Sequence, residues 1–193
     1  MIRTVARATL AVLVLAILTG LVYPLAMTSI AQVALHHTAE GSLVQADGRT
    51  VGSSLIGQTW KGPEWFYGRP SAVGYDASTS SGSNLGPRSR PLADEIRNRA
   101  SAIVRLEGPY HPGLTPSQIP ADLLTASGSG LDPDISPATA RFEAPRIAVV
   151  RHLPLARVLA LIAQHTQGRT LGFLGQPRVD VLELNVALAR MQP

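Results

Sequence analysis

Between Arg7 and Glu40 the chain carries no Asp, Glu, Lys or Arg, and from Ala8 to Ile30 it is almost wholly apolar. The heart of the run reads Leu10-Ala11-Val12-Leu13-Val14-Leu15-Ala16-Ile17-Leu18-Thr19-Gly20-Leu21-Val22-Tyr23-Pro24-Leu25. At about 1.5 Å of rise per residue, roughly 20 such residues cross the ~30 Å hydrocarbon layer as one helix. Arg3 and Arg7 precede the run, and the positive-inside bias then holds the N-terminus in the cytoplasm. The pattern predicts a cytoplasmic N-terminus at 1–7, a transmembrane helix at 8–31 and an extracytoplasmic domain at 32–193.

A cleaved signal peptide shares the charged start and apolar middle, and Ser29-Ile30-Ala31 offers small residues at a suitable spacing. Signal peptides, however, carry an apolar stretch of about 7–15 residues, and this one is longer. Pro24 is compatible with a membrane helix, where the carbonyl it frees finds other partners. A retained anchor is the reading that length favours.

The part beyond the anchor has the size of one ordinary domain. Of the seventeen basic residues two belong to the topology signal, leaving fifteen against thirteen acids. So small and scattered an excess gives no reason to propose nucleic acid as a partner. The absence of cysteine removes disulfides, thiol nucleophiles and thiolate metal ligands.

Along the domain, Val51 to Gly68 reads as strand-like pieces broken by Gly and Pro. Trp60, Trp65, Phe66 and Tyr67 place four of nine aromatics in eight positions, so they bury together or sit at an interface. Gly68 to Pro91 is a long Gly/Ser/Pro/Asn loop. Leu92, Ile96, Ala100, Ile103 and Val104 line one face of a helix from Leu92 to Arg105, with Pro91 in its first turn. Asp122–Ala126 is a short buried segment, and Ser136-Pro137 opens a helix through Phe142. Pro154 begins another, with Leu155, Val158, Leu159 and Ile162 at helical spacing. Val179–Leu184 reads as a strand, followed by a helical turn or two from Asn185 to Met191. The fold class is α+β, an extracytoplasmic domain anchored by a single N-terminal transmembrane helix.

Ser127-Gly128-Ser129-Gly130 invites a phosphate-loop or nucleophile reading. A phosphate loop wants a lysine after its glycines, and Leu131-Asp132-Pro133 follows here. The segment also misses the Gly-x-Ser-x-Gly register of hydrolases. A triad of Ser127, His165 and Asp132 can be assembled on paper, but triads are recognised by geometry. Asp132, Asp134 and Ser136 lack the mid-loop glycine and terminal carboxylate of a calcium loop, so caps and turns are the simpler reading. The uncharged loop Gly82-Ser83-Asn84-Leu85-Gly86-Pro87 suits close backbone approach to another surface, or a flexible linker.

In order along the chain stand Leu18-Thr19-Gly20-Leu21-Val22-Tyr23-Pro24-Leu25, Gly52-Ser53-Ser54-Leu55-Ile56-Gly57-Gln58, and Phe66-Tyr67-Gly68-Arg69-Pro70-Ser71-Ala72. Then come Gly82-Ser83-Asn84-Leu85-Gly86-Pro87, Pro120 through Pro133, Pro145-Arg146-Ile147-Ala148, Gly175-Gln176-Pro177-Arg178-Val179 and Leu184-Asn185-Val186-Ala187-Leu188. In these stretches the chain resembles the KdpC family, the C subunit of the bacterial Kdp potassium-transporting P-type ATPase. It departs in having Ser80-Ser81-Gly82 where many relatives have Ser-Gly-Gly, and Trp60 where Phe is common.

The resemblance implies a non-catalytic accessory subunit of a high-affinity, ATP-driven potassium uptake system in the bacterial inner membrane. Its partners would be KdpA, the potassium-binding subunit, KdpB, the ATP-hydrolysing subunit, and small KdpF, within the lipid bilayer. ATP and potassium would be handled by those partners, with no cofactor bound directly and no catalytic or metal residues here. The family role is that of a catalytic chaperone modulating the ATP affinity of KdpB, with the domain near the extracytoplasmic mouth of KdpA. Candidate partner contacts are Trp65, Phe66, Gly82, Ser83, Asn84, Leu85, Gly86 and Pro87. The alternative is a membrane-tethered extracytoplasmic serine hydrolase using Ser127 or Ser129.

Overall fold

A computed structural model describes residues 1–192. It divides into two compact units, Met1–Leu43 and Val44–Pro193.

The first unit is dominated by one helical rod over Ile2–Ala34, almost wholly apolar from Ala8 to Ile30 and with no residue of its apolar window buried. Its 33 residues correspond to about 50 Å, enough to cross a bilayer with turns to spare. The rod comprises α1 (Ile2–Ile17), a π-helical stretch Leu18–Val22, and α2 (Tyr23–Ala34). The π stretch has a cause in Pro24. Proline has no N–H to give, and its ring clashes with the carbonyl one turn back, so the preceding turn widens. Hydroxyls inside the rod are satisfied by its own backbone, Thr19 Oγ1 donating to the Leu15 carbonyl and Ser29 Oγ to that of Leu25, both at 2.8 Å. Those bonds suit a helix without water around it. The short helix α3 (His36–Ala39) follows.

From the last residue of the first unit onward, β1 (Leu43–Ala46) and β2 (Arg49–Ser53) pair as a hairpin. The strand-like reading of Val51–Gly68 holds only to Ser53; from Ser54 to Gly68 the backbone is irregular and takes its partners from distant segments. The long loop to residue 89 stands, ended by α4 (Arg90–Glu107), whose N-cap Ser89 accepts from the Leu92 N–H. The short helix α5 (Ala121–Leu124) buries Leu123.

Three strands, β3 (Asp134–Ile135), β4 (Thr166–Gln167) and β5 (Arg178–Asp180), form an antiparallel sheet in the order β3-β5-β4. Against β5 pack α6 (Pro137–Val150) and α8 (Val181–Ala189), and α7 (Leu155–Gln164) packs on both helices. The core here gathers Phe66, Ile135, Ala144, Ile147, Val158, Ile162, Val179, Leu184 and Leu188, all at most 2 % exposed. A smaller cluster joins Ala100, Ile119 and Leu123.

Two sequence expectations are corrected. The helix opened by Ser136 does not stop at Phe142 but runs through Pro145 to Val150. An interior proline costs about 3 kcal/mol, and the burial of Ala144, Ile147 and Ala148 on both sides of it offsets that. The strand expected over Val179–Leu184 ends at Asp180, which caps α8 by accepting the Glu183 N–H at 2.7 Å. The cap was written in the sequence as Asp180 followed three residues on by Glu183, and Val181, Leu184 and Leu188 then fall on one helical face.

Candidate functional site

The segments picked out by the sequence meet in one region of the second unit, where loop 69–83 is laced to loop 126–132. Ser71 Oγ donates to the Gly130 carbonyl at 2.6 Å, the Ser81 N–H to that of Ser129 at 2.9 Å, and the Ser127 N–H to that of Pro70 at 3.1 Å. Arg69 pairs with Asp132 at 3.1 Å. Two glycines make this approach possible. A Cβ on Gly82 would stand 3.0 Å from the Gly128 carbonyl oxygen, and one on Gly130, at φ +69°, would stand 2.7 Å from that of Ser81. The close backbone approach expected of Gly82 is therefore made to the chain's own Gly128. Ser83 and Leu85 are half-buried in the same loop, while Asn84, at φ +54°, Gly86 and Pro87 are exposed. A flexible linker would not be pinned in this way.

The aromatic segment is anchored just as firmly. Phe66 is wholly buried, and Asn185 of α8 grips its backbone twice, accepting from its N–H at 3.0 Å and donating to its carbonyl at 2.9 Å. Trp65 lies half-buried against Trp60, ring centroids 5.3 Å apart, with the Arg151 guanidinium 5.1 Å from its own ring centre. Of the two candidate contacts in this segment only Trp65 keeps an exposed face; Phe66 belongs to the core.

Behind the aromatic segment lies a group that the sequence reasoning missed. Arg146, from the middle of α6, has no exposed surface. Its Nε donates to Glu107 at the end of α4 at 2.7 Å and its Nη2 to Glu143, one turn back, at 2.9 Å. Its Nη1 donates to the carbonyls of Pro63 and Trp65, and the guanidinium stands 5.1 Å from the ring centre of Tyr67. The other Glu143 oxygen accepts the Tyr67 N–H at 3.2 Å. One planar cation thus joins α4, α6 and the aromatic segment, a task suited to the guanidinium fork. The available signal was Glu143 and Arg146 three residues apart within an otherwise apolar stretch of helix, a spacing that pairs side chains on one face.

Two carboxylates share one guanidinium, so burial dominates their titration. It raises Glu143 to about 8 against the pull of Arg146, and raises Glu107 as well. Asp180 is raised to about 6, again by burial. At these carboxyls the folded domain then binds more protons than the unfolded chain, whose glutamates titrate near 4.5. Their contribution to stability is therefore fullest below that value and falls as pH rises toward 8. Glu143→Gln should flatten the fall between pH 6 and 8, above the range where Asp180 acts, in urea melts across that window. An unchanged slope would locate the proton uptake elsewhere.

A cleft of about 280 Å³ lies against this network, walled by Trp60, Tyr67, Tyr75, Ile103, Leu106 and Glu107. Burial pushes the Tyr75 hydroxyl up to about 12, and it donates to the Arg69 carbonyl. Asp132 spends its oxygens on Arg69 and the Asp134 N–H, and His165 caps α7. Among the described residues no hydrogen bond joins either to Ser127, which is 3 % exposed.

Comparison with known proteins agrees along nearly the whole chain. Residues 5–190 match the family described as KdpC, K+-transporting ATPase, c chain. A Potassium-transporting ATPase KdpC subunit of Caulobacter vibrioides is 54 % identical over 180 residues, covering 92 % of this chain and 88 % of the relative. Another of Methylobacterium nodulans is 50 % identical over 188 residues, covering 90 % of each. One of Bradyrhizobium diazoefficiens is 45 % identical over 204 residues, covering 98 % of each. With a match that takes in both the apolar rod and the folded unit, the chain belongs to the KdpC family, the c chain of the K+-transporting ATPase.

Proposed function

We propose that this chain is a non-catalytic accessory subunit of a high-affinity, ATP-driven potassium pump, assembled with KdpA, KdpB and KdpF. The observation that carries the reading is the family match over residues 5–190, which takes in all but the first three residues of the 33-residue rod. Arg3 and Arg7, in the first turns of the rod and ahead of its apolar run, support a cytoplasmic N-terminus in the bacterial inner membrane and an extracytoplasmic domain over residues 32–193. ATP and potassium are handled by the partner subunits. With the domain outside and ATP inside, the chaperone effect on the ATP affinity of KdpB is a coupling between distant sites, transmitted through the complex. The domain stands near the extracytoplasmic mouth of KdpA, where its contacts hold the complex together. Trp65 and the loop tip Asn84–Pro87 are the candidate contacts that remain accessible.

The test is to tag the chain, solubilise membranes in mild detergent and assay what elutes at fixed stoichiometry. Potassium-stimulated ATPase activity should follow the tag, and deletion of residues 33–193 should abolish it or raise its KM for ATP. Pump activity indifferent to the deletion would sink the proposal.

A further inference from the structure

The two most exposed large apolar side chains of the second unit, Leu171 and Phe173, sit together with Leu174 at the tip of one hairpin. β4 and β5 pair antiparallel, Gln167 opposite Arg178, and the chain between them closes on a second, smaller turn. There Thr170 and Leu174 exchange both backbone hydrogen bonds at 2.9 Å. Leu171 is 79 % exposed, Phe173 68 % and Leu174 49 %. Leu171 is also held at φ +55°, and Gly172 and Gly175 after it take positive φ as well. The left-handed region disfavours a bulky L-residue. A leucine kept both in water and in a disfavoured conformation is explained neither by packing nor by local propensity, and such outliers concentrate where function constrains the backbone.

Charge adds a second observation. No Asp or Glu occurs between Glu143 and Asp180, and Arg169 stands at the base of the tip, bound to Gln176 at 3.1 Å. The tip is apolar and its nearest charge in sequence is positive.

We infer that the hairpin tip Arg169–Gln176 is a docking knob for another subunit of the ATPase, one presenting an apolar pocket rimmed by carboxylates. The inference rests on the subunit reading above and assigns it a surface. A closed, hydrogen-bonded turn presents its side chains already ordered, so little freedom is lost on entering a pocket. Affinity for a bilayer surface grows instead with buried apolar area and with several cations, and this tip has three side chains and one arginine. An exposed aromatic and an arginine are the residue types that dominate protein interfaces.

The test uses the full-length tagged chain expressed with its complex. The double variant Leu171→Asp/Phe173→Asp should lower the co-purified potassium-stimulated ATPase at least about tenfold, the loss that removal of one interface hot spot produces. Leu55→Asp, at a residue 60 % exposed elsewhere in the unit, should leave it unchanged. Thermal melts of the purified chain should be the same for all three proteins, since none of these side chains is in the core. Because the chain has no cysteine, Phe173→Cys labelled with a benzophenone maleimide gives a single-site photo-cross-link. An adduct with another subunit supports the knob, whereas adducts with lipid alone overturn it in favour of the bilayer. If the unsubstituted chain brings down no ATPase, the subunit reading fails and the knob with it. If it does and the double variant does equally well, the knob alone falls.

Discussion

Arg146→Met should cost the second unit about 3–5 kcal/mol, the penalty for stripping one partner from a buried ion group. Against a total of about 5–15 kcal/mol for a typical domain, that is a large fraction of what holds it folded. Methionine fills much of the volume, so the loss is electrostatic. It leaves Glu107 and Glu143 facing each other in a dry interior and strips the Pro63 and Trp65 carbonyls of their donor. The penalty should shrink in acid, because both carboxyls are raised by burial and would be raised further without the cation. Melts of the variant and the unsubstituted chain at pH 5.5 and pH 8 should show the wider gap at pH 8. A gap that is constant or wider in acid would mean that packing, not charge, is what Arg146 supplies. Arg146→Lys should fall between the two, since an ammonium cannot reach two carboxylates and two carbonyls from one fixed fork.

The comparison with a full apolar exchange sharpens the point. Burying a guanidinium with two carboxyls carries a desolvation cost that their attraction only partly returns, so removing all three together is expected to hurt less than removing Arg146 alone. What the network supplies is a joint between α4, α6 and the aromatic segment, and through Glu107 it forms one wall of the cleft.

Features with a strong local cause were legible in the sequence. The apolar rod needed only hydropathy, and α4 and α7 declared themselves through their spacing and through Pro91 and Pro154. Where local and tertiary signals disagreed, the sequence reading followed the local one and missed. Pro145 reads as a stop, yet the helix continues because the flanking face is buried. Val179–Leu184 looks β-rich, yet Asp180 turns the chain into α8. The site shows the same divide. The family stretches were visible, but the burial of Arg146 and the grip of Asn185 on Phe66 join residues 80 or more apart in sequence, a distance that no periodicity reports. The exposed tip at Leu171 and Phe173 has no counterpart in the sequence reading, since apolar letters alone do not tell exposed from buried.

Phe66 decides how the aromatic segment is used, and Phe66→Ala should be among the most damaging single changes in the chain. The ring is wholly buried among Ile135, Val179, Leu184 and Leu188 in the main core. Truncation removes its transfer energy and leaves a cavity that α8 is poorly placed to close, since Asn185 still holds the backbone of residue 66 from both sides. Buried phenylalanines truncated to alanine cost about 3–5 kcal/mol, which for a domain of this size lowers Tm by roughly 10 °C. Trp65→Ala should cost clearly less, because Trp65 keeps an exposed face and its partners Trp60 and Arg151 lie at the surface side of the core. The measurement is thermal unfolding of the isolated chain in detergent, followed by circular dichroism, beside recovery of the complex. A core residue shows its full loss with no partner present. Had Phe66 been a contact residue, the isolated variant would melt where the unsubstituted chain does, and only the complex would suffer.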